Sequence, residues 1–427
     1  MLSQGEVIVA HPGAQHSYET ALAVQQAGLL KRYITGIYYK PKSALGQAVH
    51  LVRPVERRFR RRHKRGLAQH LIKQCPLGEA LYLTGVRLKP LTRHAAQIVR
   101  WRNRRFDRIV ARVIERERPA ALIAYDTCSL RAFTKAKSVG TLRILDQSVG
   151  HWRTLAEVLS EEAERHPDFA DSLLLDTPEE FLAQCTEEAL MADRILAGSQ
   201  YVKDTMIRHG VEPSRISIIP YGADIDRFTP APRPKDLVYR VLFVGQLSQR
   251  KGIKYLLEAV RQLAAPDLEL RLVGGIVGSG LGLARYRDRF THVRNVPHYE
   301  LHQHFQQADV FVYPSLHEGS AIAIYEALAA GLPVITTLNS GSVVRDGVEG
   351  FIVPIRDVNA LKEKILLLRE DIDLREQMGR NARRRSEEFT WAAYRQRIAS
   401  ALYDLVPRSA PLLEAPFAGK RGAHVRR

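Results

Sequence analysis

The chain has 427 residues, 45% hydrophobic and 26% charged, a composition that supports two or three globular domains and excludes bulk disorder. It contains no apolar run long enough to cross a membrane, since even the stretch 322–338 is broken by Glu326 and Pro333, and no transmembrane helix is expected. The net charge of +18 is uneven: Arg53 to Arg118 holds 20 Lys/Arg against 5 Asp/Glu, whereas Glu157 to Asp193 holds 12 acids and one Arg.

The opening MLSQGEVIVAHPG reaches Glu6 and Pro12 too soon for a signal peptide, so a cytoplasmic protein is expected. Glu6 to Ala10 reads as a strand, His11 to Gln15 as a loop around Gly13, and Ser17 to Ala27 as a helix ended by Gly28. A second strand is expected over Tyr33 to Tyr39. In the basic region, Leu67 to Lys73 and Arg93 to Arg116 read as helical. Strand Ala120 to Tyr125, helix Leu130 to Lys137 and strand Leu142 to Asp146 continue a doubly wound α/β pattern. An acidic helical stretch follows to about Ala192, then strand Asp193 to Ser199, helix Gln200 to His209 and strand Arg215 to Pro220. The Pro-rich TPAPRPKD marks a linker over 229–239.

A second domain begins with strand Arg240 to Val244, loop Gly245 to Gly252, a helix carrying Leu256, Leu257, Val260 and Leu263, and strand Leu268 to Val273. Helix Tyr299 to Ala308 leads into the most informative stretch, ADVFVYPSLHEGSAIAIYEALAAGLPVITT. It reads as strand Asp309 to Tyr313, loop Pro314 to Gly319, helix Ser320 to Ala330 stopped by Gly331, and strand Pro333 to Thr336. Such a βαβ unit aims the unpaired N–H groups of its helix at the carboxyl edge of the sheet, where an anion fits. Glu326 sits in a helix that is apolar around most of its circumference and must be paired or bound. Strand Gly350 to Pro354, helices Asn359 to Arg369, Asp373 to Glu388 and Trp391 to Leu405, and a disordered tail over 406–427 complete the expected order. Cys75, Cys128 and Cys185 are too scattered for a disulfide framework or a zinc cluster, and no metal ligands are expected.

Three stretches, ADRILAGSQYVKDTMIRHGVEPSRISIIPYGADIDRF, GQLSQRKGIKYLLEAV and HEGSAIAIYEALAAGLPVI with its E-x7-E spacing, stand in the order and separation found in one large family. From about Ala192 to Leu405 the chain resembles the retaining, nucleotide-sugar-dependent glycosyltransferases of family 4 (group 1), which include bacterial mannosyltransferases and sucrose synthases. That resemblance implies two Rossmann-like α/β domains facing across a cleft, the GT-B type. The acceptor-binding domain would span 1–228 and be completed by the helix 391–405, and the donor-binding domain would span 240–390. It implies a glycosyltransferase (EC 2.4) that moves a sugar from a nucleoside-diphosphate donor to a glycan, lipid-linked or small-molecule acceptor, with no metal or other cofactor. Carried over to this chain, Arg250 and Lys251 neutralise the diphosphate, Glu326 grips the ribose, and Glu318 with the amides of Gly319, Ser320 and Ala321 holds the sugar and diphosphate. Gly245 opens the phosphate loop, Gly13 lets the first domain approach the phosphates, and Asn295, Val296 and Pro297 fall at the nucleobase. In the mechanism attributed to the family the departing phosphate takes the acceptor's proton, and cations and helix-end amides stabilise it.

This chain departs from the pattern at Gln246, where the family places Arg, and in HPGAQ, which has one glycine where a pair is common. The donor-sugar His is not uniquely placed: RILDQSVGHW offers Asp146, Gln147 and His151, of which His151 is the nominated catalytic group. Asp224-Ile-Asp226 spells a metal-binding D-x-D but follows a strand and precedes the linker, which favours an Asx-turn. The basic Arg53 to Arg118 region suits an anionic membrane on the inner face, and equally a solvated helix surface. A sugar-nucleotide epimerase on the same architecture is the alternative function. A basic nucleic-acid-binding protein is a further one, disfavoured because few aromatics interleave the basic segments and no nucleic-acid motif is present.

Overall fold

A computed structural model describes residues 6–41, 62–85, 94–232, 236, 238–294, 296–403 and 405. Asn295, the tail 406–427 and much of the basic region and linker, all singled out in the sequence, lie outside the described residues.

The first domain is built from β1 (Val7–His11), α1 (Ser17–Gln26), β2 (Leu30–Thr35), β3 (Ile72–Gln74), α2 (Pro76–Gly85), α3 (Ala95–Glu117), β4 (Ala121–Tyr125) and α4 (Leu130–Ser138). It continues through β5 (Leu142–Gln147), α5 (Trp152–Arg165), α6 (Glu179–Met191), β6 (Arg194–Ala197), α7 (Gln200–Arg208) and β7 (Ile216–Ile218). The seven strands form one sheet in the order β3-β2-β1-β4-β5-β6-β7, parallel throughout. Its central strands read as continuous apolar runs because helices cover both faces; all five residues of β1 and of β4 are buried.

The second domain runs β8 (Tyr239–Val244), α8 (Ile253–Leu263), β9 (Leu268–Val273), α9 (Leu281–Ala284), β10 (Thr291–Val293), α10 (Leu301–Gln306), β11 (Val310–Tyr313) and α11 (Ile322–Ala329). It ends with β12 (Val334–Thr336), β13 (Gly350–Ile352), α12 (Val358–Glu370) and α13 (Ile372–Glu387). Its six parallel strands take the order β10-β9-β8-β11-β12-β13. These are two Rossmann-like α/β domains. The last helix, α14 (Trp391–Tyr403), packs on α1 of the first domain, where the Tyr394 hydroxyl meets Thr20 Oγ1 at 2.8 Å and Arg395 Nη1 meets Glu19 at 2.8 Å.

Two elements differ from the sequence reading. β2 is Leu30–Thr35 rather than Tyr33 to Tyr39, because the turn at Gly28 (φ +73°) returns the chain at once and Val7 of β1 pairs with Leu30. Leu67 to Lys73 is not a helix: a single 3-10 turn at Gln69–Leu71 leads into β3, whose Ile72 pairs with Tyr33 of β2. The edge strand outweighs the helix-like spacing of Leu67 and Leu71. Among the described residues no helix is long and apolar enough to cross a membrane.

Candidate active site

In an open α/β sheet a ligand binds outside the carboxyl ends of the strands, where the strand order reverses. In the second domain that point lies between β8 and β11, and the loops leaving both strands meet there. The loop after β8 carries Arg250 and Lys251 in a 3-10 turn ended by Gly252 (φ +70°). A Cβ on Gly252 would lie 2.0 Å from the Pro314 carbonyl oxygen of the β11 loop, so only glycine allows the two loops to touch. The Leu316 amide donates to the Arg250 carbonyl at 2.9 Å and locks the loops together.

Glu318 is the centre of this junction. Its Oε1 accepts from Arg250 Nη1 at 2.9 Å and is in direct ion-pair contact with Lys251 Nζ, while Arg250 also donates to the His317 carbonyl at 2.8 Å. Lys251 is only 8% exposed. Burial, with the adjacent Arg250 guanidinium, pulls the Lys251 pKa well down, and burial lowers that of Arg250. The Glu318 carboxylate, in contact with both, favours their charged forms. Two cations around one carboxylate leave a surplus of positive charge at the start of α11.

The backbone there is partly free. Among the described residues the amides of Gly319 and Ser320 donate to no protein group, whereas the Ala321 amide, expected to be available, donates to the Ser340 carbonyl at 3.1 Å. Two of the three nominated amides are therefore open. Glu326, 4% exposed, has the partner its apolar helix requires: His298 Nε2 lies 2.6 Å from Oε1. His298 was not singled out in the sequence; its side chain is 53% exposed and its ring stands edge-on to Phe228 at 5.8 Å. Val296, two residues earlier, packs partly buried against the core. Gly245 leaves β8 at φ +156°.

The first domain's reversal lies between β1 and β4. Its loop after β1 holds Gly13, whose amide donates to His11 Nδ1 at 3.1 Å, and a Cβ there would meet the His11 ring only at 3.4 Å. His16, at the start of α1, places Nε2 at 3.0 and 3.1 Å from the two oxygens of Asp146 at the end of β5. Tyr125, Tyr221 and Tyr394 surround this buried pair, with the Tyr221 ring 4.4 Å from His16 and its hydroxyl unpartnered. Nothing local in the sequence links the two, because 130 residues separate them. Of the three alternatives at the end of β5, Asp146 is held by His16 and Gln147 donates to the Val149 carbonyl at 3.0 Å. His151 caps α5 by accepting from the Arg153 amide at 3.2 Å and stacks on His209 at 4.0 Å.

These two edges press on each other. The Gly150 amide donates to the Glu318 carbonyl at 3.1 Å, Ser199 Oγ donates to the Gly319 carbonyl at 2.5 Å, and the Tyr201 hydroxyl meets His317 Nδ1 at 2.7 Å. A Cβ on Gly319 would lie 1.9 Å from the Ser148 carbonyl oxygen. Burial draws the pKa values of both His151 and His317 down to about 3, so both are neutral near pH 7, and Nε2 of each has no partner. Asp224 accepts from the Arg227 amide, three residues on, through its carbonyl at 3.1 Å and its side chain at 3.3 Å, so D-x-D lies in a side-chain-assisted turn rather than the two-residue Asx-turn expected.

Two facing Rossmann-like domains with a cationic loop and an open helix start at their junction define a GT-B glycosyltransferase fold. Residues 225–385 match the family described as glycosyl transferases group 1. The D-inositol 3-phosphate glycosyltransferase of Geodermatophilus obscurus is 32% identical over 246 residues, which cover 51% of this chain and 54% of that protein. The protein of the same name from Corynebacterium diphtheriae is 30% identical over 261 residues, covering 54% and 60%. The matches thus span little more than half the length of these relatives. Among solved structures, Anabaena HepE in complex with UDP and glucose aligns with a TM-score of 0.59 at 18% identity over 93% of this chain and 99% of that one. Sucrose-phosphate synthase from Thermosynechococcus elongatus aligns with a TM-score of 0.62 at 21% identity over 94% and 99%. At these identities the two structures speak for the fold.

Proposed function

We propose that this protein is a glycosyltransferase (EC 2.4) that takes a sugar from a nucleoside-diphosphate donor and gives it to a hydroxyl of a glycan, lipid-linked or small-molecule acceptor. The observation that carries this reading is the buried Lys251 and half-buried Arg250 gathered beside the open amides of Gly319 and Ser320. In the free protein Glu318 supplies the negative charge those cations need. A donor diphosphate would supply it in the complex, so that Glu318 becomes available to the sugar. As the anomeric C–O bond breaks, its electron pair goes to the diphosphate oxygen, and two cations and two helix-end amides already stand where that charge develops. Glu326, steadied by His298, would take the ribose hydroxyls.

Retention of anomeric configuration and independence from metal are the finer parts of this proposal, and both rest on the family resemblance. In that scheme the acceptor oxygen forms the new bond on the leaving group's face and its proton passes to the departing diphosphate. The test is release of nucleoside diphosphate from a panel of UDP-, GDP- and ADP-sugars, with and without a mixture of sugar, polyol and lipid-linked acceptors, with chelator present. Release that requires an acceptor supports transfer, and the anomeric configuration of the product then decides retention. Acceptor-independent turnover to an epimerised sugar nucleotide would support the epimerase instead.

A further inference from the structure

α2 and α3 lie against each other with opposite chain directions, since Gly78 meets Arg102 and Gly85 meets Ile98: a Cβ on Gly78 would be 3.7 Å from the Arg102 Cα, and one on Gly85 2.8 Å from Ile98 Cδ1. The Arg102 guanidinium also lies 4.8 Å from the Tyr82 ring centroid. On two antiparallel helices, residues one position before the contact line fall on the same side of the pair. Leu77 and Leu81 precede Gly78 and Tyr82, and Trp101 precedes Arg102. These three apolar side chains share one side and are 52%, 47% and 41% exposed.

The stripe that Trp101 begins continues along α3 at helical spacing through Arg105, Arg108 and Arg112, all exposed and without a salt bridge among the described residues. The Arg105 guanidinium lies 6.0 Å from the Trp101 ring centroid. The acids on these two helices are engaged elsewhere: Glu115, exposed and three residues past Arg112, pairs with Lys135 at 2.9 Å, and Glu117 pairs with Arg32 at 3.1 Å. Glu79 is held by Arg62 and Arg102, and Asp107 accepts from the Arg131 and Ala132 amides. Two leucines and a tryptophan rimmed by unneutralised arginines match the layered chemistry of a bilayer interface, with apolar groups at acyl depth and cations at phosphate depth.

We propose that this face of α2 and α3 docks on an anionic phospholipid bilayer. The docking is independent of donor chemistry in the cleft. It brings a membrane to the first domain beside a shallow pocket lined by Pro12, Gly36, Glu79, Arg102 and Arg105.

The test is co-sedimentation of the full chain with vesicles of pure phosphatidylcholine or of phosphatidylcholine with 30 mol% phosphatidylglycerol (~30%, a usual anionic fraction), together with tryptophan emission. Binding at least about ten times tighter to the anionic vesicles is expected, with a blue shift that disappears in Trp101→Phe. The pair Leu77→Ser and Leu81→Ser, at exposed positions, is expected to lower vesicle affinity about tenfold at unchanged circular dichroism, as is Arg105→Glu with Arg108→Glu. Equal binding to both vesicles, no binding, or an unaltered affinity in the serine pair would overturn the proposal. So would binding without a tryptophan shift that an oligonucleotide abolishes, which would assign the arginines to nucleic acid.

Discussion

Glu326 and His298 show how a single buried charge reports its use. A carboxylate inside an apolar helix costs free energy unless paired, and the imidazole 2.6 Å away pairs one of its oxygens while leaving the other unclaimed. Glu326→Ala is expected to weaken nucleotide binding about 10- to 100-fold, the range of a hydrogen bond to a charged group, measured by titration calorimetry. Lys251→Ala is expected to lower turnover about 10²- to 10³-fold with a smaller change in donor KM, as for loss of one group that stabilises developing charge. Equal loss in KM alone would place Lys251 in ground-state binding. The sequence showed that Glu326 needs a partner but not which one. The same holds more strongly for His16 and Asp146, whose meeting depends on β1 and β5 lying two strands apart in one sheet.

At the scale of elements, the strands were legible wherever burial on both faces produced an unbroken apolar run, as in β1, β4, β8 and β11. Two of the four edge strands were not: β3 and β10 have three residues each and exist because a neighbouring strand offers an edge, whereas β7 and β13, equally short, fell within the expected strands Arg215 to Pro220 and Gly350 to Pro354. The start of α4 at Leu130 was legible, but its caps were not: its first amides are satisfied by Glu188, from Thr127, Ser129 and Leu130, and by Asp107, from Arg131 and Ala132. Asp107→Ala should cost about 1–3 kcal/mol of stability by leaving two amides unpaired, readable as a lower denaturation midpoint. Gly252→Ala should cost a similar ~1–3 kcal/mol, because its Cβ would overlap the Pro314 carbonyl and the residue would be held at positive φ. A midpoint equal to wild type would mean that the two loops can part freely.

For the whole molecule, the contact between domains includes a neutral histidine, His317, which meets Tyr201. The first-domain residue Gly150, which bonds the Glu318 carbonyl, is followed by a second, His151. His151 and His317 have pKa values near 3 when folded, against an ordinary 6.5, because burial disfavours their charged forms. Between those values the unfolded chain binds protons that the folded chain does not, so stability falls as pH drops from 6.5 toward 3. Each imidazole can contribute up to about 1.4 kcal/mol per pH unit in that window. His317→Gln, which keeps a partner for the Tyr201 hydroxyl, is expected to flatten the acid side of the stability profile relative to wild type. An unchanged slope would mean that the domains separate before His317 titrates.

The measurement that bears most directly on the central claim is thermal stability of wild type and Glu326→Ala against a panel of nucleoside diphosphates and their sugars. A ligand at a hundred times its Kd should add ~2.7 kcal/mol to the folded state. The account predicts that one nucleotide family stabilises the wild type and that Glu326→Ala loses most of that response. A wild type indifferent to every nucleotide, or a variant that responds as wild type does, would contradict a donor site at the junction of Arg250, Lys251, Glu318 and Glu326.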